Sequence, residues 1–162
     1  MNTSQSLTNY PDRKNKRILL VDDEPDIIYS IEKVLEDNGF VVDLYTNPTL
    51  AISNFKPGLY DLLLLDIKMP DLDGFDLYEK MRKIDSNFKV CFLTAGPYFY
   101  EEYRRRLNAY PKLEKEKKCF IQKPCANAEL IRTINETLAI VEIYRRPFHP
   151  IPHIAFGSSS KT

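Results

Sequence analysis

The feature that most constrains this chain is a run of four leucines, Leu62 to Leu65, that ends on Asp66. The Pro/Gly-punctuated stretch Ile67-Lys68-Met69-Pro70-Asp71-Leu72-Asp73-Gly74 follows it. An unbroken apolar run bounded by turn residues fits a strand buried on both faces, as in a parallel sheet covered by helices. Asp66 then stands where that strand emerges. In open α/β sheets, ligands bind at the carboxyl ends of the strands. Asp66 is therefore the first candidate for chemistry.

The same pattern recurs along the chain. Arg17 to Asp22 reads as a first buried strand that also ends on acid, Asp22-Asp23-Glu24. Pro25 suits a first helical position, where its missing N–H costs nothing. Ile27, Ile28, Ile31, Val34 and Leu35 then recur at helical spacing until Gly39 stops the helix. Phe40 to Tyr45 is a second strand, and Asn47-Pro48 opens a short helix to about Phe55. A third helix is predicted over Gly74 to Ile84, its apolar face formed by Phe75, Leu77, Tyr78, Met81 and Ile84.

Lys89 to Thr94 is a fourth strand, ending on a hydroxyl. A fourth helix is expected from Tyr98, ended or kinked by Pro111. Cys119 to Lys123 is a fifth strand stopped by Pro124. A long last helix is predicted over about Ala128 to Arg145, with Leu130, Ile131, Ile134, Leu138 and Val141 as its stripe. Five strands alternating with five helices imply right-handed βαβ units and a parallel sheet.

Residues 1–15 are polar and aperiodic and read as a flexible tail. Residues 16–146 form the one expected domain, and 147–162 a Pro-rich tail with no effector domain. Lys plus Arg and Asp plus Glu number 23 each, so no basic field points to direct nucleic-acid or membrane contact. No signal peptide or membrane span is apparent, and a cytoplasmic location is expected. Three cysteines in that setting are expected to be reduced, inert thiols.

The strand ends gather Asp22, Asp23, Asp66, Thr94 and Lys123. Clustered carboxylates without Cys or His make an all-oxygen site suited to a hard cation such as Mg²⁺. Such a cation offsets the repulsion of close acids, which otherwise favours protonation of one of them. A metal-bound carboxylate beside a lysine and a hydroxyl is equipped to accept a phosphoryl group, a reaction that asks mainly for positioning and charge neutralisation.

Four segments, in order and at fitting spacing, give the chain a resemblance to the receiver domain of two-component response regulators. They are Val21-Asp22-Asp23-Glu24-Pro25, Leu65 to Gly74, Leu93-Thr94-Ala95 and Phe120-Ile121-Gln122-Lys123-Pro124, and the resemblance covers about residues 16–143. It implies a doubly wound, flavodoxin-like (βα)5 fold with five parallel strands in the order 2-1-3-4-5. Asp66 would be the phosphoacceptor, served by a phosphohistidine of a sensor histidine kinase or phosphotransfer protein. Asp23, Asp66 and the Lys68 backbone carbonyl would hold Mg²⁺, with Asp22 helping through water.

The resemblance further implies that Lys123 pairs with the phosphoryl oxygens and that its bond to Pro124 is cis. Thr94 would swing toward the phosphate and Phe120 inward with it, while Ala95 leaves room over the site. Phe120 reads equally well as a core strand residue. Two departures stand out. Twenty-nine positions separate Thr94 from Lys123, a long interval for the family, and Cys125 stands where a bulky aromatic commonly follows Lys-Pro.

Tyr98, Phe99, Tyr100 and Tyr103 cannot all face one core from a single helix. They read either as a docking surface or as a thick core beneath a longer loop. Arg104 to Arg106 and the charged run 112–118 read as solvated faces. His149 and His153 are separated by two prolines, Pro150 and Pro152, that deny them a helix and argue against a metal site.

A haloacid-dehalogenase-type phosphatase would need an acid where Lys68 stands. A flavodoxin-like redox carrier would need a phosphate loop where the acids stand. The expected function is a stand-alone phospho-switch rather than an enzyme with a substrate of its own. Its surface over 96–120 would bind a downstream protein or a second copy. The alternatives are an interaction module that works without phosphorylation, or the receiver fragment of a longer DNA-binding regulator.

Overall fold

The computed structural model describes residues 15–96, 105 and 119–145. Five strands form one sheet: β1 (Arg17–Val21), β2 (Val41–Tyr45), β3 (Leu62–Asp66), β4 (Lys89–Thr94) and β5 (Cys119–Gln122). Every pairing is parallel and the order is β2-β1-β3-β4-β5, as expected. The described helices are α1 (Pro25–Asp37), α2 (Pro48–Ser53), α3 (Gly74–Ile84) and α4 (Asn127–Arg145), the last helix of the chain. None is long and apolar enough to cross a membrane. The helix expected from Tyr98, both tails, His149 and His153 lie outside the described residues, apart from Asn15 and Arg105.

The leucine run behaves as a strand with no wet face: Leu62 to Leu65 are all 0% exposed. Side chains alternate across a strand, and the run divides accordingly. Leu63 and Leu65 join Leu19, Val21, Val90 and Phe92 beneath α2 and α3, with Ala51, Phe75, Leu77 and Met81. Leu62 and Leu64 join Ile18, Leu20, Cys91, Leu93 and Ile121 on the other face, covered by Ile28 and Leu35 of α1 and Leu130 and Ile134 of α4. Truncating any one of these leucines to alanine removes dispersion contacts on a fully covered face, a loss of about 2–5 kcal/mol.

The helices start where side chains satisfy their first amides. Asn47 Oδ1 accepts from the Thr49 and Leu50 N–H groups at 2.8 and 3.2 Å. Asp73 Oδ1 does the same for Phe75 and Asp76 at 3.0 and 2.9 Å. Gly39 takes φ +88°, the left-handed conformation that lets the chain leave α1 for β2.

Two expectations are corrected. The cysteines are not all free thiols: Cys91 of β4 and Cys119 of β5 form a disulfide, and Cys125 is the free cysteine. The reason is register. The two stand directly opposite on neighbouring strands, with Cα atoms 4.4 Å apart, within bridging range. Ile84 is not core but 49% exposed. It closes α3 and lines an open groove of about 520 Å³ with Thr49, Ile52 and Leu72.

Candidate functional site

The acids meet because β1 and β3 are neighbours in register, Val21 opposite Leu65. Asp22 follows one strand and Asp66 ends the other. One carboxylate oxygen from each of Asp22, Asp23 and Asp66 lies within 4.8 Å of the other two. Asp22 is 0% and Asp66 3% exposed, whereas Asp23 is half-buried. Asp22 Oδ1 also accepts the Glu24 N–H at 2.9 Å.

Lys123 reaches the same point from the far side. Its backbone N–H donates to the Thr94 carbonyl at 2.7 Å, which ties the end of β5 to the end of β4. The peptide bond to Pro124 is cis, as the resemblance implied. The ammonium lies 3.0 Å from Asp22 Oδ2, 3.0 Å from Asp66 Oδ1 and 3.2 Å from Glu24 Oε1. Glu24 as a partner of Lys123 was missed in the sequence. The acidic triplet after β1 was its signal, but the pairing spans 99 positions.

Charge at this point is out of balance. Burial pushes the Asp66 carboxyl up to about 6; the Asp22 charge adds to the rise, Lys123 opposes it, and Asp23 adds a little more. Burial also works against the Lys123 charge, but the hydrogen bonds and charges of Asp22 and Asp66 outweigh it and raise its pKa. Lys123 stays an ammonium, and Asp66 is held close to neutrality in pH.

The loop after Asp66 is shaped by backbone demands. Asp71 takes φ +65°, a left-handed conformation that Asp tolerates better than most residues. Gly74 N–H donates to the Ile67 carbonyl at 3.0 Å. A Cβ on Gly74 would fall on the Asp66 carbonyl oxygen and lie 3.1 Å from Ile67 Cα. Only glycine lets α3 start this close to the acceptor strand. Lys68, whose carbonyl is the remaining expected metal ligand, carries an exposed side chain in this loop.

Thr94 ends β4 next to Leu93, the partner of Asp66 across the sheet. Its hydroxyl donates to the Gly96 carbonyl at 3.0 Å rather than to an acid. Phe120 is half-buried and stacks on Phe92, ring centroids 5.6 Å apart. The expected output segment 96–120 lies outside the described residues except for Gly96, Arg105, Cys119 and Phe120.

The donor set fits a hard divalent cation. Among the described residues three carboxylates converge without a histidine or cysteine in the group, the chemistry that suits Mg²⁺ over softer metals. One ammonium cannot neutralise them. Such a set at the end of a buried strand is equipped to hold a cation and an anionic group side by side.

Comparison with known proteins agrees with this geometry. The family model of the response regulator receiver domain matches residues 18–135. The transcriptional regulatory protein DltR of Streptococcus agalactiae is 35% identical over 86 residues, 53% of this chain and 38% of its own. The chain thus spans little more than a third of that relative. A CheY-like receiver domain protein from Methanospirillum hungatei superposes with a TM-score of 0.66 at 30% identity, over 81% of this chain and 99% of that one. The response regulator TrrA of Thermotoga maritima, solved in complex with Mg²⁺-BeF, superposes at 0.62 with 31% identity, over 75% and 98%. The match takes in both acidic strand ends and Lys123, and the chain belongs to the response regulator receiver domain family of two-component signal transduction.

Proposed function

We propose that this receiver accepts a phosphoryl group on Asp66 from a phosphohistidine of a sensor histidine kinase or phosphotransfer protein. An Asp66 carboxylate oxygen attacks phosphorus, the P–N bond breaks, and the histidine nitrogen leaves with the bonding pair. The observation that carries this reading is the position of Asp66. It is the acid at the end of the central strand, within ligand distance of Asp22 and Asp23 and 3.0 Å from Lys123.

Asp22, Asp23, Asp66 and the Lys68 carbonyl are the groups proposed to hold Mg²⁺. When bound, the ion supplies positive charge to the phosphoryl oxygens and favours ionised Asp66. Lys123 orients the group by donating to a second phosphoryl oxygen. The Thr94 hydroxyl, now on Gly96, has a stronger acceptor in a phosphoryl oxygen. Phe120 follows it by sliding from its stack on Phe92. That two-state movement is the proposed signal, read by a downstream protein or a second copy at 96–120 and the start of α4. The complete set of acids and lysine favours this over binding without phosphorylation.

The test is mass measurement after incubation with acetyl phosphate and Mg²⁺, for wild type and Asp66→Asn. One phosphoryl group is expected on the wild type and none on the variant. Equal incorporation in the two would overturn the assignment.

A further inference from the structure

Lys123 is fully engaged before any phosphoryl group arrives. An ammonium has three N–H donors, and three carboxylates stand around this one: Asp22 and Asp66 at 3.0 Å and Glu24 at 3.2 Å. A phosphoryl oxygen can reach the ammonium only by displacing one of them. Asp22 is fully buried and held a second time by the Glu24 N–H at 2.9 Å. Asp66 is the buried acceptor itself. Glu24 differs from both.

The Glu24 side chain is 57% exposed while Lys123 is 11% exposed, so Glu24 is the outermost of the three partners. It occupies the N-cap position of α1 but its side chain makes no capping hydrogen bond. Its carboxylate is therefore free to leave without a cost to the helix. At 3.2 Å its pairing is the longest of the three, and an aspartate in its place would be one methylene shorter.

We infer that Glu24 is a placeholder for the phosphoryl group, occupying the Lys123 donor that the incoming oxygen needs and so restraining the loading of Asp66. It returns to Lys123 when phosphate departs. This inference rests on the phosphoacceptor reading of the site. It acts by occupancy of one donor and not by overall negative charge, and the two are separable. An exposed ion pair is weak, so the restraint amounts to roughly two- to fivefold.

The experiment measures the affinity of the full chain for beryllofluoride in Mg²⁺, and its rate of phosphorylation by acetyl phosphate. It compares wild type with Glu24→Gln, Glu24→Ala and Glu24→Asp. Glu24→Ala and Glu24→Asp, which vacate the Lys123 donor, are expected to gain roughly two- to fivefold in both at low salt with unchanged thermal stability, and Glu24→Gln, which keeps the reach but offers only a neutral acceptor, is expected to gain less. The gain should shrink as salt screens the ion pair. Glu24→Asp is the decisive arm, because it keeps the charge and loses the reach. If it stays at the wild-type level while Glu24→Gln gains, repulsion explains the effect and the placeholder is wrong. Three variants equal to wild type also overturn it while leaving Asp66 as acceptor. A wild type that takes up neither probe removes the phosphoacceptor reading and the placeholder with it.

Discussion

The two ends of the sheet use the same residue types and treat charge in opposite ways. Around the start of β1, Lys16 pairs with Asp61 at 3.0 Å and Arg17 with Asp43 at 2.8 Å, all four side chains about one-third exposed. Asp61 Oδ2 also accepts the Arg17 N–H at 2.9 Å. Each anion has its own cation. Where the strands finish, Asp22, Glu24 and Asp66 crowd one ammonium with Asp23 beside them. A fold that needed only stability would not be expected to bury Asp22 and Asp66 next to each other. Balanced charge marks a structural end, and imbalance marks the end kept ready for a ligand.

Mg²⁺ should separate the two ends most sharply. Few protein oxygens are available, so binding is expected to be weak and dependent on every carboxylate. Asp23→Ala should abolish measurable Mg²⁺ binding, whereas Asp43→Ala should leave it within about twofold, since Asp43 is outside the acidic cluster and its charge is already paired with Arg17. Calorimetric titration of the two variants checks this. Undiminished affinity in Asp23→Ala would refute the ligand assignment.

Much of this contrast was legible before the fold was known. The leucine run announces a doubly covered strand because every one of its residues is apolar, and the acids that end β1 and β3 follow from where such runs stop. Asn47 and Asp73 mark their helix starts because capping is a local interaction. What remained hidden depends on geometry between distant segments. The Cys91–Cys119 bridge requires the register of β4 against β5, which no periodicity carries. Glu24 meets Lys123 only after the whole sheet is assembled. Ile84 fits the apolar spacing of α3 yet lies at its last turn, beside an open groove, and spacing does not encode where a helix outruns the surface it covers.

Protonation offers the next test. The Asp66 carboxyl, raised to about 6 chiefly by burial, binds its proton more tightly in the folded protein than in the unfolded chain, where an aspartate titrates near 4. A raised carboxyl contributes stability that is complete below about pH 4 and lost as pH rises through about 6. Asp66→Asn removes that ionisation. Relative to wild type it should gain about 1–2 kcal/mol at pH 8, after allowance for solvent screening, and lose that gain toward pH 4. Thermal unfolding in the presence of a chelator measures it. A variant no more stable at pH 8 than at pH 4, relative to wild type, would mean that Asp66 is not held near neutrality.

The smallest effect is expected at the balanced end, and it has the opposite sign. Asp61 accepts the Arg17 N–H and pairs with Lys16, and its backbone carbonyl takes the Lys89 N–H at 2.9 Å at the start of β4. Asp61→Asn keeps one acceptor oxygen and the backbone bond, and loses the charge together with the second acceptor, so the oxygen that remains serves either the Arg17 N–H or the Lys16 ammonium but not both. Partly exposed pairs contribute little, so the loss should be about 0.5–1 kcal/mol and should fade with added salt. Mg²⁺ should not change it, because no metal ligand is disturbed. Neutralising an aspartate therefore stabilises the protein at one end of the sheet and destabilises it at the other. Denaturant unfolding of Asp61→Asn and Asp66→Asn at pH 8, side by side, reads the two signs directly. If Asp61→Asn were the more stable of the two, charge balance would not distinguish the ends, and the crowding at Asp66 would lose its meaning as a mark of function.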